Sequence, residues 1–211
     1  MSDIAGSLVP LSKQQAMLMV ESAYLLIELG KIDQARETAL GCALLMPKSE
    51  VPQIALGSVE FNAQKYDKAL QAYRAAQRLA PKAALPRAHC GEALQAMGKF
   101  TEAMKELVAA TEAEPGSGGA AFAIALMIII ANKEYDASKL EASLKTLSTV
   151  VKIDPDNALG QAHYGKVLVL LAKHEEGVAA LNRAVALDTD GDGGRIAAFF
   201  LEAIKIAGKK K

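Results

Sequence analysis

The chain has 211 residues, and its 24 lysines and arginines are balanced by 24 aspartates and glutamates. A neutral chain lacks the broad positive field that binding to nucleic acid or to an anionic membrane surface usually needs, so neither class of partner is expected. Hydrophobic residues make up 51% of the chain but aromatic residues only 5%, so the core must be built mainly of aliphatic residues such as Ala and Leu, which favour helices.

The N-terminal ten residues, MSDIAGSLVP, have neither the basic start nor the apolar stretch of a secretory signal. The longest apolar run, residues 120–131, is too short to span a bilayer as a helix. We therefore expect a cytoplasmic protein without membrane insertion. Cys42 and Cys90 both lie in apolar helical stretches, where a cysteine behaves as a small hydrophobic residue.

An internal repeat begins in the first half of the chain. The hexapeptides GKIDQA (30–35), QKYDKA (64–69) and GKFTEA (98–103) start 34 residues apart. Three further sets of residues keep the spacing of 34: Pro47, Pro81 and Pro115; Ala35, Ala69 and Ala103; and Ala23, Gly57 and Gly91. A period of this length is typical of stacked helical repeats.

The copy at residues 50–83 shows the physical basis of the pattern. Apolar residues at helical spacing predict a first helix over 51–64, within which Gly57 allows a second helix to approach closely. Asp67 is placed to cap that second helix, over 68–79, and Pro81 ends it. Such a hairpin buries its apolar face only against the next copy, so the copies are predicted to stack.

The spacing changes once, in the fourth copy. Pro155 lies 40 residues after Pro115, and the six surplus residues are predicted to lengthen the turn at Asn132–Lys139. The helix at Arg195–Ala207 is predicted to cover the last repeat, as a terminal cap must. The predicted organisation is an N-terminal tail or helix start at 1–15, repeats at 16–49, 50–83, 84–117, 118–157 and 158–189, and a capping helix with a basic tail at 190–211.

The repeat resembles a known family. Leu56–Gly57, the Ala69-x3-Tyr73 pair and Pro81 resemble the tetratricopeptide repeat pattern. The resemblance implies an all-α fold, a right-handed superhelix of five antiparallel helix hairpins with a C-terminal capping helix, in which the first helices line a concave groove. The segment EALQAMGKFTEAMKEL (92–107) is also similar to the repeats of type III secretion class II chaperones.

The resemblance also implies which residues face a ligand. In relatives, certain positions of the first helices contact the partner, and these positions are mostly apolar here, which suits an apolar peptide or an amphipathic helix. An alternative is that the groove is filled by the chain's own segment Ile4–Leu11, or by a second copy in a homodimer. The groove positions carried over to this chain are Met17, Val20, Tyr24, Ile27, Ile54, Ser58, Phe61, Asn62, Leu85, Ala88, Glu92, Gln95, Phe122, Leu126, Ile129 and Lys166.

Motifs for chemistry are scarce. The three histidines, His89, His163 and His174, form no HxxxH pair, and no CxxC occurs. The stretch DTDGDGG (188–194) resembles the start of a calcium loop, but Phe199 stands where the closing acid belongs, which favours a structural turn. We expect no metal, no cofactor and no enzymatic activity.

Two functional hypotheses follow. The first is a non-enzymatic interaction module that binds a peptide or amphipathic helix of another protein in the groove. The alternative is a cytosolic chaperone of a bacterial, type III-like secretion system that holds an export substrate or an apparatus subunit.

Overall fold

The computed structural model describes residues 12–208, which are folded into eleven helices with no strand among them. The predicted all-α fold is thus confirmed, and the segment Ile4–Leu11 lies outside the described residues. The helices are α1 (Lys13–Glu28), α2 (Ile32–Leu45), α3 (Val51–Asn62), α4 (Tyr66–Leu79), α5 (Ala84–Ala96), α6 (Phe100–Ala113), α7 (Gly118–Asp136), α8 (Leu140–Ile153), α9 (Ala158–Leu170), α10 (His174–Leu187) and α11 (Asp192–Gly208).

The chain divides into two compact units. Unit 1 ends at Ala123 and contains α1 to α6 with the start of α7, and unit 2 begins at Ile124 and contains the rest of α7 with α8 to α11. Helices α1 to α10 form five hairpins of a first and a second helix, as the period of 34 predicts.

All five hairpins turn in the same way. One residue with positive φ ends each first helix, and the N–H of the following lysine donates back to the carbonyl five residues earlier, as from Lys65 to Glu60 at 2.8 Å and from Lys173 to Leu168 at 2.9 Å. This is the Schellman arrangement of a helix C-terminus. The residues with positive φ are Gly30 (71°), Gln64 (58°), Gly98 (75°), Ser138 (58°) and Ala172 (61°).

The lysine also marks the start of each second helix, which corrects one prediction. Helix α4 begins at Tyr66, its N-cap is Lys65, and no side chain caps it. Asp67 therefore is not the cap. It lies in the first turn, where a carboxylate is favoured by the partial positive charge at the helix N-terminus.

The non-glycine turn residues give a stability prediction. Ala172→Gly is expected to raise the free energy of unfolding by about 1 kcal/mol, because glycine adopts positive φ without the steric penalty of a Cβ atom. Gly98→Ala should lower it by a similar amount, and the cause there is φ alone, since a Cβ at Gly98 would meet no atom within 4 Å. Chemical unfolding of the two variants measures both effects. Equal stabilities would contradict this turn geometry.

The fourth hairpin differs from the prediction. Its turn is not lengthened, because Ser138 has the same conformation as the other turn residues. The surplus instead extends the first helix: α7 has 19 residues, whereas α3 has 12 and α5 and α9 have 13. No glycine or proline occurs between Ala120 and Ser138, so nothing ends the helix earlier.

A small residue of the first helix faces a large residue of the second wherever the two helices cross. A Cβ atom on Gly57 would overlap the ring of Tyr73, and one on Gly91 would overlap the side chain of Leu107. In unit 2 the matching residues are Gly165 against Leu181 and Ala131 against Leu147. The small residue always precedes the large one by 16 positions.

Helix α11 covers the last hairpin, as predicted. Its residues Ile196, Phe200 and Ile204 belong to a core cluster with Ala162 of α9 and Leu181 of α10. The opposite face is not polar, however, because Phe199 is 71% exposed and Ile206 is 51% exposed.

Candidate partner-binding site

Three first helices of unit 1 carry a polar residue at the same place relative to their turns. These are Tyr24 of α1, Ser58 of α3 and Glu92 of α5, each six residues before the residue with positive φ. The Tyr73 hydroxyl donates to Ser58 Oγ at 3.4 Å. Burial raises the pKa of Tyr24, and a hydrogen bond with Ser58 opposes part of that rise. The hydroxyl groups of the three residues therefore lie together.

A row of rings lies beside these hydroxyls, and we call Tyr73, His89 and Phe122 the aromatic cluster. The rings of Tyr73 and His89 are stacked with centroids 4.8 Å apart, and the His89 ring is 5.1 Å from that of Phe122. His89 Nδ1 is 2.8 Å from Glu92 Oε2, which orients the imidazole. Burial is the main cause of a raised pKa for Tyr73. The cluster is thus a packed support and not a loose surface.

The predicted groove residues of unit 1 fall into two groups. Val20, Ile54, Ala88 and Gln95 are buried, so they support the surface from beneath and are not free to contact a partner. The others reach solvent to different extents: Ile27, Ser58, Phe61, Glu92 and Phe122 are half-buried, and Met17, Tyr24, Asn62 and Leu85 are exposed.

Large apolar side chains stand out among the exposed positions. Met17 is 47% exposed, Tyr24 36% and Leu85 39%. We call these three residues the unit 1 surface. Asn62 beside them donates from its side-chain amide to the backbone carbonyl of Ser58 at 2.9 Å. The surface therefore combines apolar area with polar groups that could orient a bound chain.

In unit 2 the longer α7 changes which residues take the groove positions. Leu126 is buried and Ile129 is 45% exposed. Counted back from the turn residue Ser138, the equivalents of Ser58 and Phe61 are Asn132 and Tyr135. The sequence prediction missed these two residues because it placed the surplus in the turn. The spacing of 16 between Ala131 and Leu147 was the signal that could have located them.

Lys166 of α9 was predicted as a groove residue, and the structure places it against Tyr135. Its Nζ lies 3.6 Å from the centroid of the Tyr135 ring, and the residue is only 9% exposed. Burial lowers the pKa of Lys166, and the charge of Asp136 opposes this. Burial, followed by the charge of Lys166, lowers the pKa of His163 to about 4, and the buried Nδ1 of His163 has no hydrogen-bond partner within the described part of the chain.

The acidic stretch before α11 stabilises its own turn. The Gly191 N–H donates to Asp188 Oδ1 at 2.9 Å, and Arg195 pairs with Asp192 at 2.8 Å. Over residues 12–208 no three His, Cys, Asp or Glu side chains converge as a metal site would need. These contacts agree with the structural turn that the missing closing acid favours.

Helix α7 is, by length and composition, the one helix of the described chain that could cross a membrane. The core helix of a soluble protein passes the same test, and 44% of the apolar window of α7 is buried. Ser143 Oγ also donates to the Ala131 carbonyl at 2.9 Å, which joins α7 to α8. These contacts fit a soluble helical protein.

Comparison with protein families finds one match, in which residues 53–82 fit the tetratricopeptide repeat. A search among curated proteins finds no significant match for the sequence. The family match covers the second hairpin, whose Gly57 and Tyr73 form the crossing described above.

Solved structures extend the likeness to the whole fold. YrrB, a TPR protein with an unusual peptide-binding site, is 18% identical over 90% of this chain and 94% of its own, with a TM-score of 0.55. Pseudomonas aeruginosa PilF is 13% identical over 92% and 87%, with a TM-score of 0.62. Yeast Tom70 is 19% identical with a TM-score of 0.65, over 92% of this chain but only 40% of its own.

The chaperone alternative gains nothing from these comparisons. The type III secretion translocator chaperone SycD of Yersinia enterocolitica matches over 51% of this chain with a TM-score of 0.47, which is too low to support an argument. At identities of 13 to 19% the YrrB, PilF and Tom70 structures show the fold alone. The chain is thus a helical repeat protein of the tetratricopeptide-repeat fold, and its residues 53–82 match the family's own repeat.

Proposed function

We propose that the chain is a non-enzymatic interaction module, and that it holds an apolar peptide or an amphipathic helix of a partner protein on the unit 1 surface. The observation that carries this proposal is the exposure of Met17, Tyr24 and Leu85 on first helices, above the packed aromatic cluster. The tetratricopeptide fold supports it, since proteins of this fold generally bind other proteins. The peptide-binding site reported for YrrB adds support for a peptide ligand.

The chemistry of the surface favours such a ligand. Exposed large apolar side chains cost free energy in water, and they contribute most to affinity when a partner covers them. Tyr24 is well suited as an anchor because it offers a rigid ring and a hydroxyl. Ser58 and Glu92, which lie next to the rings, can accept hydrogen bonds from a bound backbone.

A double variant tests the proposal. Tyr24→Ser with Leu85→Ser should reduce the partner that co-purifies from native cells by at least about tenfold, the factor that a loss of 1.4 kcal/mol in binding free energy produces. Helicity should remain, because both side chains are exposed. Phe61 and Phe122 are less suitable for this test, since Phe61 packs on Tyr66 and Phe122 on His89.

The matched control removes two exposed leucines from a second helix. Leu40 and Leu44 of α2 are 46% and 70% exposed, so Leu40→Ser with Leu44→Ser deletes a similar apolar area elsewhere in unit 1. Equal loss of partner in both double variants would contradict the proposal. A wild-type dimer that becomes a monomer only in the Tyr24/Leu85 variant would also contradict it, and would show that a second copy occupies the surface.

A further inference from the structure

Lys166 is an unusual charged residue in unit 2. The residue is only 9% exposed, yet no carboxylate among the described residues lies within ion-pair distance of its ammonium. Its one close partner is the face of the Tyr135 ring at 3.6 Å. Removing an ammonium group from water costs several kcal/mol, and a cation–π contact with a tyrosine returns about 0.5–2 kcal/mol of this. The site thus leaves the lysine undercompensated.

The surroundings of Lys166 also favour an anion. His163 lies three residues earlier, one turn along α9, and its buried Nδ1 lacks a partner in the described structure. Asn132 stands at the equivalent place on α7 and provides an amide group. Asp136 is the carboxylate that acts on Lys166, but it is exposed and forms no ion pair with it. Nitrogen donors are therefore in excess over acceptors.

An apolar depression adjoins the same tyrosine. It has a volume of about 410 Å³ and is lined by Tyr135, Asp136, Ser138, Leu140 and Leu170. Leu170 is 49% exposed at its edge. A ligand that places an anion on Lys166 can therefore place an apolar group beside the Tyr135 ring.

We propose that Lys166 is a binding site for one carboxylate side chain, an aspartate or glutamate of a partner polypeptide that carries an apolar residue next to it. The carboxylate pairs with the ammonium that Tyr135 holds in place. The neighbouring apolar residue enters the depression at Leu170. This site extends the proposed function, because its ligand is again a segment of a partner protein, but it lies in unit 2 and has its own residues.

The contact with Tyr135 could instead be purely structural, and the stability of Lys166→Met separates the two explanations. If the lysine is present for binding, its replacement removes the cost of a buried ammonium, and the melting temperature stays equal or rises. If the lysine only stabilises the fold through Tyr135, the melting temperature falls. A clear fall would overturn the proposal.

A peptide selection tests the binding site. A phage library of random 12-residue segments is selected on the wild type, on Lys166→Met, on Lys166→Glu and on the control Lys173→Met, whose lysine is exposed. On the wild type and the control we expect about tenfold enrichment of Asp or Glu at one position beside an apolar residue. The enrichment should vanish with Lys166→Met and change to Lys or Arg with Lys166→Glu.

The outcomes separate the two proposals. Enriched peptides without an acidic position, or with one that persists in Lys166→Met, overturn the carboxylate site and leave the unit 1 surface untouched. Peptides that lose binding only in the Tyr24/Leu85 double variant support the unit 1 surface alone and likewise overturn the carboxylate site. A wild type that enriches no peptide contradicts both.

Discussion

Replacement of Gly57 by leucine is expected to lower the free energy of unfolding by about 3 kcal/mol, at the upper end of the cost of overpacking a core. Even the Cβ atom of a larger residue would overlap the ring of Tyr73. That ring cannot move aside, because Tyr73 is only 1% exposed and its other neighbour is the stacked ring of His89 at 4.8 Å. Denaturant unfolding followed by circular dichroism measures the effect.

Gly41 provides the matched control. It lies inside helix α2, and a Cβ atom placed on it would meet nothing within 4 Å. Gly41→Ala should therefore stabilise the protein by about 0.5–1 kcal/mol through helix propensity alone. If Gly57→Leu unfolded at the same denaturant concentration as the wild type, the helix crossing would not lie where the structure places it.

Replacement of Arg36 by methionine should cost about 3 kcal/mol, because it leaves a buried carboxylate without its countercharge. Arg36 Nε lies 2.6 Å from Glu60 Oε1, and the Glu60 side chain is only 7% exposed. Arg36 also contacts Asp33 at 2.6 Å, but that carboxylate is 94% exposed and loses little when the pair is broken.

The second half of the cycle shows whether the cost comes from the stranded charge. Arg36→Met combined with Glu60→Met should return to within about 1 kcal/mol of the wild type, since a packed apolar pair can replace a buried ion pair. Arg183→Met serves as control because the Arg183–Asp156 pair is exposed, and its loss should cost less than about 1 kcal/mol. If Arg36→Met costs no more than Arg183→Met, the Glu60 carboxylate is not stranded by the change.

The repeat could be predicted from the sequence because its determinants are local. Gly57 and Gly91 are small where helices cross, and Gly30 and Gly98 supply the positive φ of the turns. Each requirement selects a residue type at a fixed offset, so the period of 34 is visible without any knowledge of the fold. The helix pairs follow from it directly.

The extension of α7 could not be predicted in the same way. Its turn residue is Ser138, which is not the glycine that usually marks a positive φ, and Gln64 and Ala172 take the same conformation. Six extra residues without a helix breaker fit a longer helix as well as a longer turn. The error displaced the groove positions, so Asn132 and Tyr135 were missed.

Exposure of the groove residues also could not be predicted from their positions. Val20 and Tyr24 lie four residues apart on one face of α1, yet Val20 is 3% exposed and Tyr24 is 36% exposed. The difference depends on what neighbouring helices place against each side chain. A single sequence without the packed structure does not contain that information.

Photo-crosslinking tests the central claim, that a partner occupies the unit 1 surface, most directly. A benzoylphenylalanine placed at Leu85 in native cells should crosslink to one dominant partner protein, whereas the same group at the exposed Leu44 of α2 should not. The Leu85 variant must first show wild-type helicity. Absence of a crosslink at Leu85, or the same crosslinked protein at both positions, would contradict the claim.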